Sequence, residues 1–284
     1  MNRKKNTSFT LIELLVVIVI IGILAGVIMI STSSSIDKAN IAKLKVFEES
    51  VQNNLAANMV SRWKLDDGTG SLAAKDIWGS NDGTLTNSPI WKTGNDCVSN
   101  GCLSFSGTAY VDCGNLGAIG NAFTFSAWFK TSSVQTYNPI IIVDGNTNGN
   151  PQLRTIGNGK VQFRFYAGNQ LASSSSYNNN QWHFAIGGID NSGKYYLYVD
   201  GLSQGTLTPD LTLNWTGNTR IGLYSYNTPA YFSGSIDDVK VYSAALSSSQ
   251  IKQNYIAGLD SLLNKKLISK QEYDQRINAL SALN

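Results

Sequence analysis

Tyr195-Tyr196-Leu197-Tyr198-Val199-Asp200-Gly201 sets five aromatic and aliphatic residues directly before an Asp-Gly pair. That is the pattern of a strand entering a two-residue hairpin, whose central positions both take positive φ. Working outward, similar short runs recur at 123–130, 140–143, 161–166, 182–189, 220–223 and 236–242, separated by clusters of Gly, Asn, Asp and Ser. Helical periodicity is missing between Trp63 and Tyr242, so this region predicts an all-β sandwich. The polar stretches 146–150 and 173–180 read as surface loops.

Both flanks return to helix. Residues 9–30, FTLIELLVVIVIIGILAGVIMI, form an apolar run whose only charge is Glu13, preceded by Arg3, Lys4 and Lys5. A helix of this length reaches about 33 Å and spans a bilayer, with the basic leader on the cytoplasmic side. Gly22 and Gly26 form a small-xxx-small pair suited to close helix approach. Leu44, Phe47, Val51, Leu55 and Met59 then recur at spacings of three and four, which extends the helix to about residue 60 and roughly 80 Å. The carboxylate needs a reason, because it costs roughly 2.5–3.5 kcal/mol inside a spanning helix. A signal peptide has a shorter apolar core, and neither it nor a plain anchor accounts for Glu13.

The segment Ser8-Phe9-Thr10-Leu11-Ile12-Glu13-Leu14-Leu15, after a short basic leader, resembles the type IV pilin and pseudopilin family. The resemblance implies that a prepilin peptidase removes residues 1–8 by cutting between Ser8 and Phe9, and that the new Phe9 amine is methylated. Glu13 then neutralises the Phe9 amine of a neighbouring subunit during assembly. Ser8 stands where the family usually has glycine. The first proline here is Pro89, whereas many pilins carry one late in the apolar run, so a straighter stem follows.

A second resemblance covers about 180 residues. Trp63-Lys64-Leu65-Asp66-Asp67-Gly68, Asn81-Asp82-Gly83-Thr84-Leu85, Leu103-Ser104-Phe105-Ser106-Gly107, Phe123-Thr124-Phe125-Ser126-Ala127-Trp128, Trp182-His183 and Gly234-Ser235-Ile236-Asp237-Asp238-Val239-Lys240-Val241-Tyr242 occur in that order. The set resembles laminin-G-like, concanavalin A-like jelly rolls. The expected fold class is α+β, mostly β. Its parts are a leader (1–8), a long N-terminal helix (9–60, transmembrane over 9–30), a sandwich (61–245) and a C-terminal helical hairpin (246–284). In the tail, Leu259, Leu262, Leu263, Leu267, Ile268, Tyr273, Ile277 and Leu280 form the apolar set, and Ser269 with Glu272 reads as a capping box.

The chemistry is sparse. The chain has four glutamates, Glu13, Glu48, Glu49 and Glu272, none of them in the sandwich. Glycosidases of this fold work with paired carboxylates, commonly glutamates, so no enzyme is expected. Residues 62–244 hold 11 Lys or Arg against 12 Asp, which leaves no basic face for nucleic acid. His183, the only histidine, has no nucleophile motif beside it and reads as structural. Cys97 and Cys102 flank a four-residue turn compatible with a local disulfide in a translocated protein, leaving Cys113 as a buried thiol.

Strand alternation puts Asp237 on the side of Val239 and Val241, facing inward. A buried carboxylate needs a partner or a metal. Many members of the fold hold structural calcium at the matching aspartate, which implies Asp66 and Asp237 as its ligands here. The alternative is that Asp237 accepts backbone N–H groups. Trp91, Trp215, Tyr224, Tyr226 and Tyr231 lie in polar stretches and are candidates for stacking on sugars.

These readings converge on a pilin-like subunit. Its precursor sits in the cytoplasmic membrane with the N-terminus inside, and its sandwich is displayed on a pilus or cell surface for adhesion or glycan binding. The alternatives are a pseudopilin or minor subunit of a type II secretion or DNA-uptake machine, and a membrane-anchored glycan-active protein.

Overall fold

The computed structural model describes residues 56–117, 119–144, 150–165, 168–208, 215–225 and 228–281, together with Leu15, Val16, Ile18 and Val19, which are helical. Apart from those four, residues 1–55, Ser8, Phe9, Glu13, Gly22 and Gly26 among them, lie outside the described residues. Among the described residues no helix is long and apolar enough to cross a membrane. Residues 54–284 form a unit of their own.

The strands of this unit begin with β1 (Met59–Trp63), β2 (Ala73–Ala74), β3 (Gly83–Thr86), β4 (Ile90–Thr93), β5 (Gly101–Phe105) and β6 (Tyr110–Asp112). They continue with β7 (Phe123–Lys130), β8 (Tyr137–Asp144), β9 (Pro151–Ile156), β10 (Lys160–Phe165), β11 (Gln170–Ser176) and β12 (Trp182–Ile189). The last are β13 (Tyr195–Val199), β14 (Leu202–Leu207), β15 (Asn218–Ile221), β16 (Leu223–Tyr224), β17 (Ala230–Tyr231) and β18 (Gly234–Tyr242). Helices α1 (Ser248–Asn264) and α2 (Lys270–Ser281) follow.

Two antiparallel sheets stack face to face. The first runs β14-β13-β12-β7-β18-β5-β4, with β1 sharing an edge of β18 with β5. The second runs β11-β10-β9-β8-β15-β6-β3-β2. Their inner faces bury Phe123, Phe125, Phe129, Phe163, Phe165 and Tyr195. Phe165 meets Tyr195 edge to face at 4.6 Å and 84°, a preferred aromatic geometry. The Asp-Gly hairpin is present: Val199 pairs with Leu202, and Asp200 and Gly201 have φ of 51° and 74°.

Three expectations need correction. Met59 opens strand β1, paired with Tyr242, and is not part of a helix. Its place in the helical spacing was coincidental, because a sheet edge offered a stronger partner. Residues 173–176 are not loop; they complete β11, and the buried Ser173 hydroxyl accepts the Val161 N–H. Asp237 does not face the inner core. A bulge at Asp238, whose φ is 44°, breaks the alternation, and Asp237 lies opposite Trp128 on the outer face of the first sheet.

That outer face is roofed by the tail. Ile251, Tyr255, Leu259 and Leu262 are the buried residues of α1. The Tyr255 ring stacks on Trp128 at 5.6 Å and 18°. Gly258 allows this approach, since a Cβ there would lie 2.2 Å from Trp128 Cζ2. A capping box of Ser247 and Gln250 starts α1, and Ser269 accepts the Glu272 N–H at the start of α2.

Candidate functional site

The second sheet presents the opposite surface. In β9 and β10, Leu153, Val161, Phe163 and Phe165 enter the core, so alternation turns Gln152, Arg154, Gln162 and Arg164 outward. Register sets Arg154 beside Gln162 and Arg164 beside Gln152. Arg154 Nε and Nη2 donate to Gln162 Oε1 at 2.9 and 2.7 Å, and Nη1 donates to Gln152 Oε1 at 3.2 Å. Gln162 Nε2 in turn reaches Gln170 Oε1 at 3.0 Å. The Arg154 guanidinium sits 4.3 Å over the Tyr137 ring, a cation–π contact. Burial and the neighbouring Arg164 hold the Arg154 pKa down to about 10.

The other half of this face is an ion-pair cluster. Arg220 bridges Asp144 at 2.6 Å and Asp112 at 3.4 Å. The Ser225 hydroxyl also donates to Asp144, and Asn218 donates to Asp112 at 3.1 Å. The β16–β17 hairpin brings Tyr224 to 6.3 Å from Tyr137 and Tyr231 to 6.5 Å from Tyr110. Burial raises the Tyr224 pKa, with Arg154 and Arg164 opposing it. Asn150, which leads into β9, is fully buried, and neither atom of its amide has a partner among the described residues.

A second polar cluster surrounds the disulfide joining Cys97 and Cys102. Asp237 accepts from the Ser99 N–H at 2.8 Å and the Ser99 hydroxyl at 2.7 Å. Lys265, at the C-terminal cap of α1, donates to the carbonyls of Cys97 and Ser99. Asp66 borders the same loop, its Cα lying 2.7 Å from where a Cβ on Gly101 would sit. Calcium needs six to eight oxygens free of such donors. Here the Asp237 carboxylate is taken by an N–H and an O–H, and the carbonyls of Cys97 and Ser99 by an ammonium, a donor set unlike the all-oxygen shell that calcium takes. Among the described residues the one group of three potential metal ligands is Cys97, Cys102 and Asp237. Both of its sulfurs are committed to the disulfide.

Burial pushes the Asp237 carboxyl up to about 7, against the opposing Ser99 hydrogen bonds. The neighbouring Asp238 is half-buried, which alone would raise its pKa, but Lys240 and Arg62 bring it below the usual value. Between the ordinary carboxylate value and about 7, the native state holds a proton at Asp237 that the unfolded chain has released. Stability should therefore fall as pH rises through this window, by roughly 4 kcal/mol at most, and then level off. Thermal melts from pH 4.5 to 8 check this. Asp237→Asn should flatten the slope; an unchanged slope would show that another group causes it.

The remaining candidates are structural. His183 Nδ1 meets Asp200 at 2.7 Å and Nε2 meets Asn179 at 2.9 Å. Cys113 is free and buried, and burial pushes its thiol pKa well up. Trp91 donates to the Ser71 carbonyl at 3.0 Å. Trp215 packs edge-on to Phe123 at 5.1 Å. Of the five aromatics read as sugar-stacking candidates, Tyr224 and Tyr231 sit by Tyr137 and Tyr110 on the outer side of the second sheet, and Tyr226 lies outside the described residues. The arginines were missed. Their signal is the repeated pattern Gln152-Leu153-Arg154 and Gln162-Phe163-Arg164, which gives two adjacent strands the same long polar face.

The family described as concanavalin A-like lectin/glucanases matches residues 105–252, just over half of the chain. The chain belongs to the concanavalin A-like lectin/glucanase superfamily. A prokaryotic N-terminal methylation motif matches residues 3–29. Such a motif implies a membrane-inserted precursor and display at a surface or pilus. No curated protein matches the chain.

Several solved structures share the superfamily's fold. Domain 4 of AbnA, a GH43 extracellular arabinanase from Geobacillus stearothermophilus in complex with arabinotriose, is 17% identical with a TM-score of 0.56, over 69% of this chain and 97% of that one. The botulinum neurotoxin serotype D binding domain is 17% identical with a TM-score of 0.55, over 74% of this chain and 53% of that one. Trypanosoma rangeli sialidase in complex with the inhibitor DANA is 16% identical with a TM-score of 0.54, over 75% of this chain and 37% of that one. At these identities the likeness is one of fold.

Proposed function

We propose that this chain is a type IV pilin-like subunit that displays its sandwich for glycan binding at the cell surface. A prepilin peptidase trims it between Ser8 and Phe9, and Phe9 is methylated. Apolar stems then assemble, with Glu13 answering the Phe9 amine of a neighbouring subunit. The outer face of the second sheet is the binding surface.

One observation carries this reading. The first sheet is roofed by α1, whereas the outer face of the second carries the accessible Tyr137, Tyr224 and Arg164 beside the buried Arg154, Gln152 and Gln162. Amide and guanidinium groups beside aromatic rings suit sugar hydroxyls and ring faces. Binding rather than turnover is supported by Arg220, which ties up both Asp112 and Asp144.

Two measurements on the full chain in detergent test this reading. Mass spectrometry should find a methylated Phe9 start; a retained Met1 would overturn the pilin assignment. A glycan array should give saturable binding that Tyr224→Ala weakens about tenfold, or about 1.4 kcal/mol. An array with no binder would sink the glycan reading and favour a machine subunit.

A further inference from the structure

Arg154 is 4% exposed. Its hydrogen-bond partners are the neutral oxygens of Gln152 and Gln162. A guanidinium carries five N–H donors, so two of them have no protein acceptor among the described residues. Arg164, a diagonal neighbour across the β9–β10 pair, donates among the described residues through Nε to the Phe165 carbonyl at 3.0 Å. No carboxylate pairs with either arginine among the described residues, whereas Arg220 on the same face has two. Burying a charge without a counter-charge is costly, and placing two like charges side by side adds to that cost.

This arrangement lies on the outer face of the second sheet, where Arg154 is buried, Arg164 and Tyr224 are half-buried and Tyr137 is exposed. We infer that the face takes an acidic saccharide, whose carboxylate or sulfate is held by Arg154 and Arg164 while its ring lies against Tyr137 and Tyr224. A planar guanidinium fork matches two anionic oxygens bidentately, which a lysine ammonium cannot do. This inference rests on the glycan-binding reading and narrows it to a charge class.

The test uses the full chain in nonionic detergent. Binding is measured to neutral xylo- and arabino-oligosaccharides, to carboxylated oligogalacturonate and sialyl-lactose, and to sulfated heparin oligosaccharides. Acidic ligands should bind at least tenfold more tightly than neutral ones, with the carboxylated and sulfated arms telling which anion is preferred. Arg164→Gln alters a half-exposed residue and should cut acidic binding at least tenfold, so that the preference is lost, while the circular dichroism of the folded sandwich stays as in the wild type. Arg154→Lys should also weaken acidic binding, because it keeps the charge but loses the fork. Equal affinity for neutral and acidic ligands would overturn the inference, as would an Arg164→Gln chain that keeps its preference; glycan binding would stand in both cases. Failure to bind any saccharide would overturn the broader reading as well.

Discussion

Tyr255→Ala should lower the midpoint of thermal unfolding of the sandwich by about 10 °C. Tyr255 is 1% exposed and stacks on Trp128, with Phe184 beyond at 6.4 Å and 17°. Truncating a buried aromatic costs about 3–5 kcal/mol, and each kcal/mol is worth about 2–4 °C in a domain of this size. Tyr255→Phe keeps the ring and should retain most of the stability. Near-ultraviolet circular dichroism on the same samples would report the Trp128 environment. A loss below about 2 °C would mean that α1 is not part of the cooperative unit.

Glu13→Val should reduce incorporation into filaments by at least a hundredfold while leaving membrane insertion intact. Removing the carboxylate makes the run more apolar, which favours insertion by roughly 2.5–3.5 kcal/mol. It also deletes the group expected to meet the Phe9 amine of a neighbouring subunit. Comparing membrane and sheared surface fractions by immunoblot separates the two effects. Wild-type levels in the surface fraction would refute the assembly role of Glu13.

What could be read from the sequence depended on how local the cause was. The Asp200-Gly201 hairpin and the runs that became β7, β12 and β13 were visible because backbone φ and side-chain alternation are local properties. The tail was equally legible through its period, although Ile251 and Tyr255, which seat it, fell before the apolar set that stood out. Met59 and residues 173–176 were misread because edge pairing across the chain decides their state. Asp237 was misplaced by a bulge that Asp238 introduces, and alternation alone cannot foresee a bulge. Trp91 and Trp215 read as ligand candidates only because their own stretches are polar; the partners that bury them are distant in sequence.

The helical roof gives the sandwich a front and a back. With the back closed, the proposed binding face is each copy's one working side, and every copy in a regular array would turn that side the same way. Contacts too shallow to hold one copy then gain through repetition, since linked sites can exceed either site alone by about 10²–10⁴-fold. A polymer of such subunits would grip a saccharide-coated surface firmly, while a shed monomer would let go.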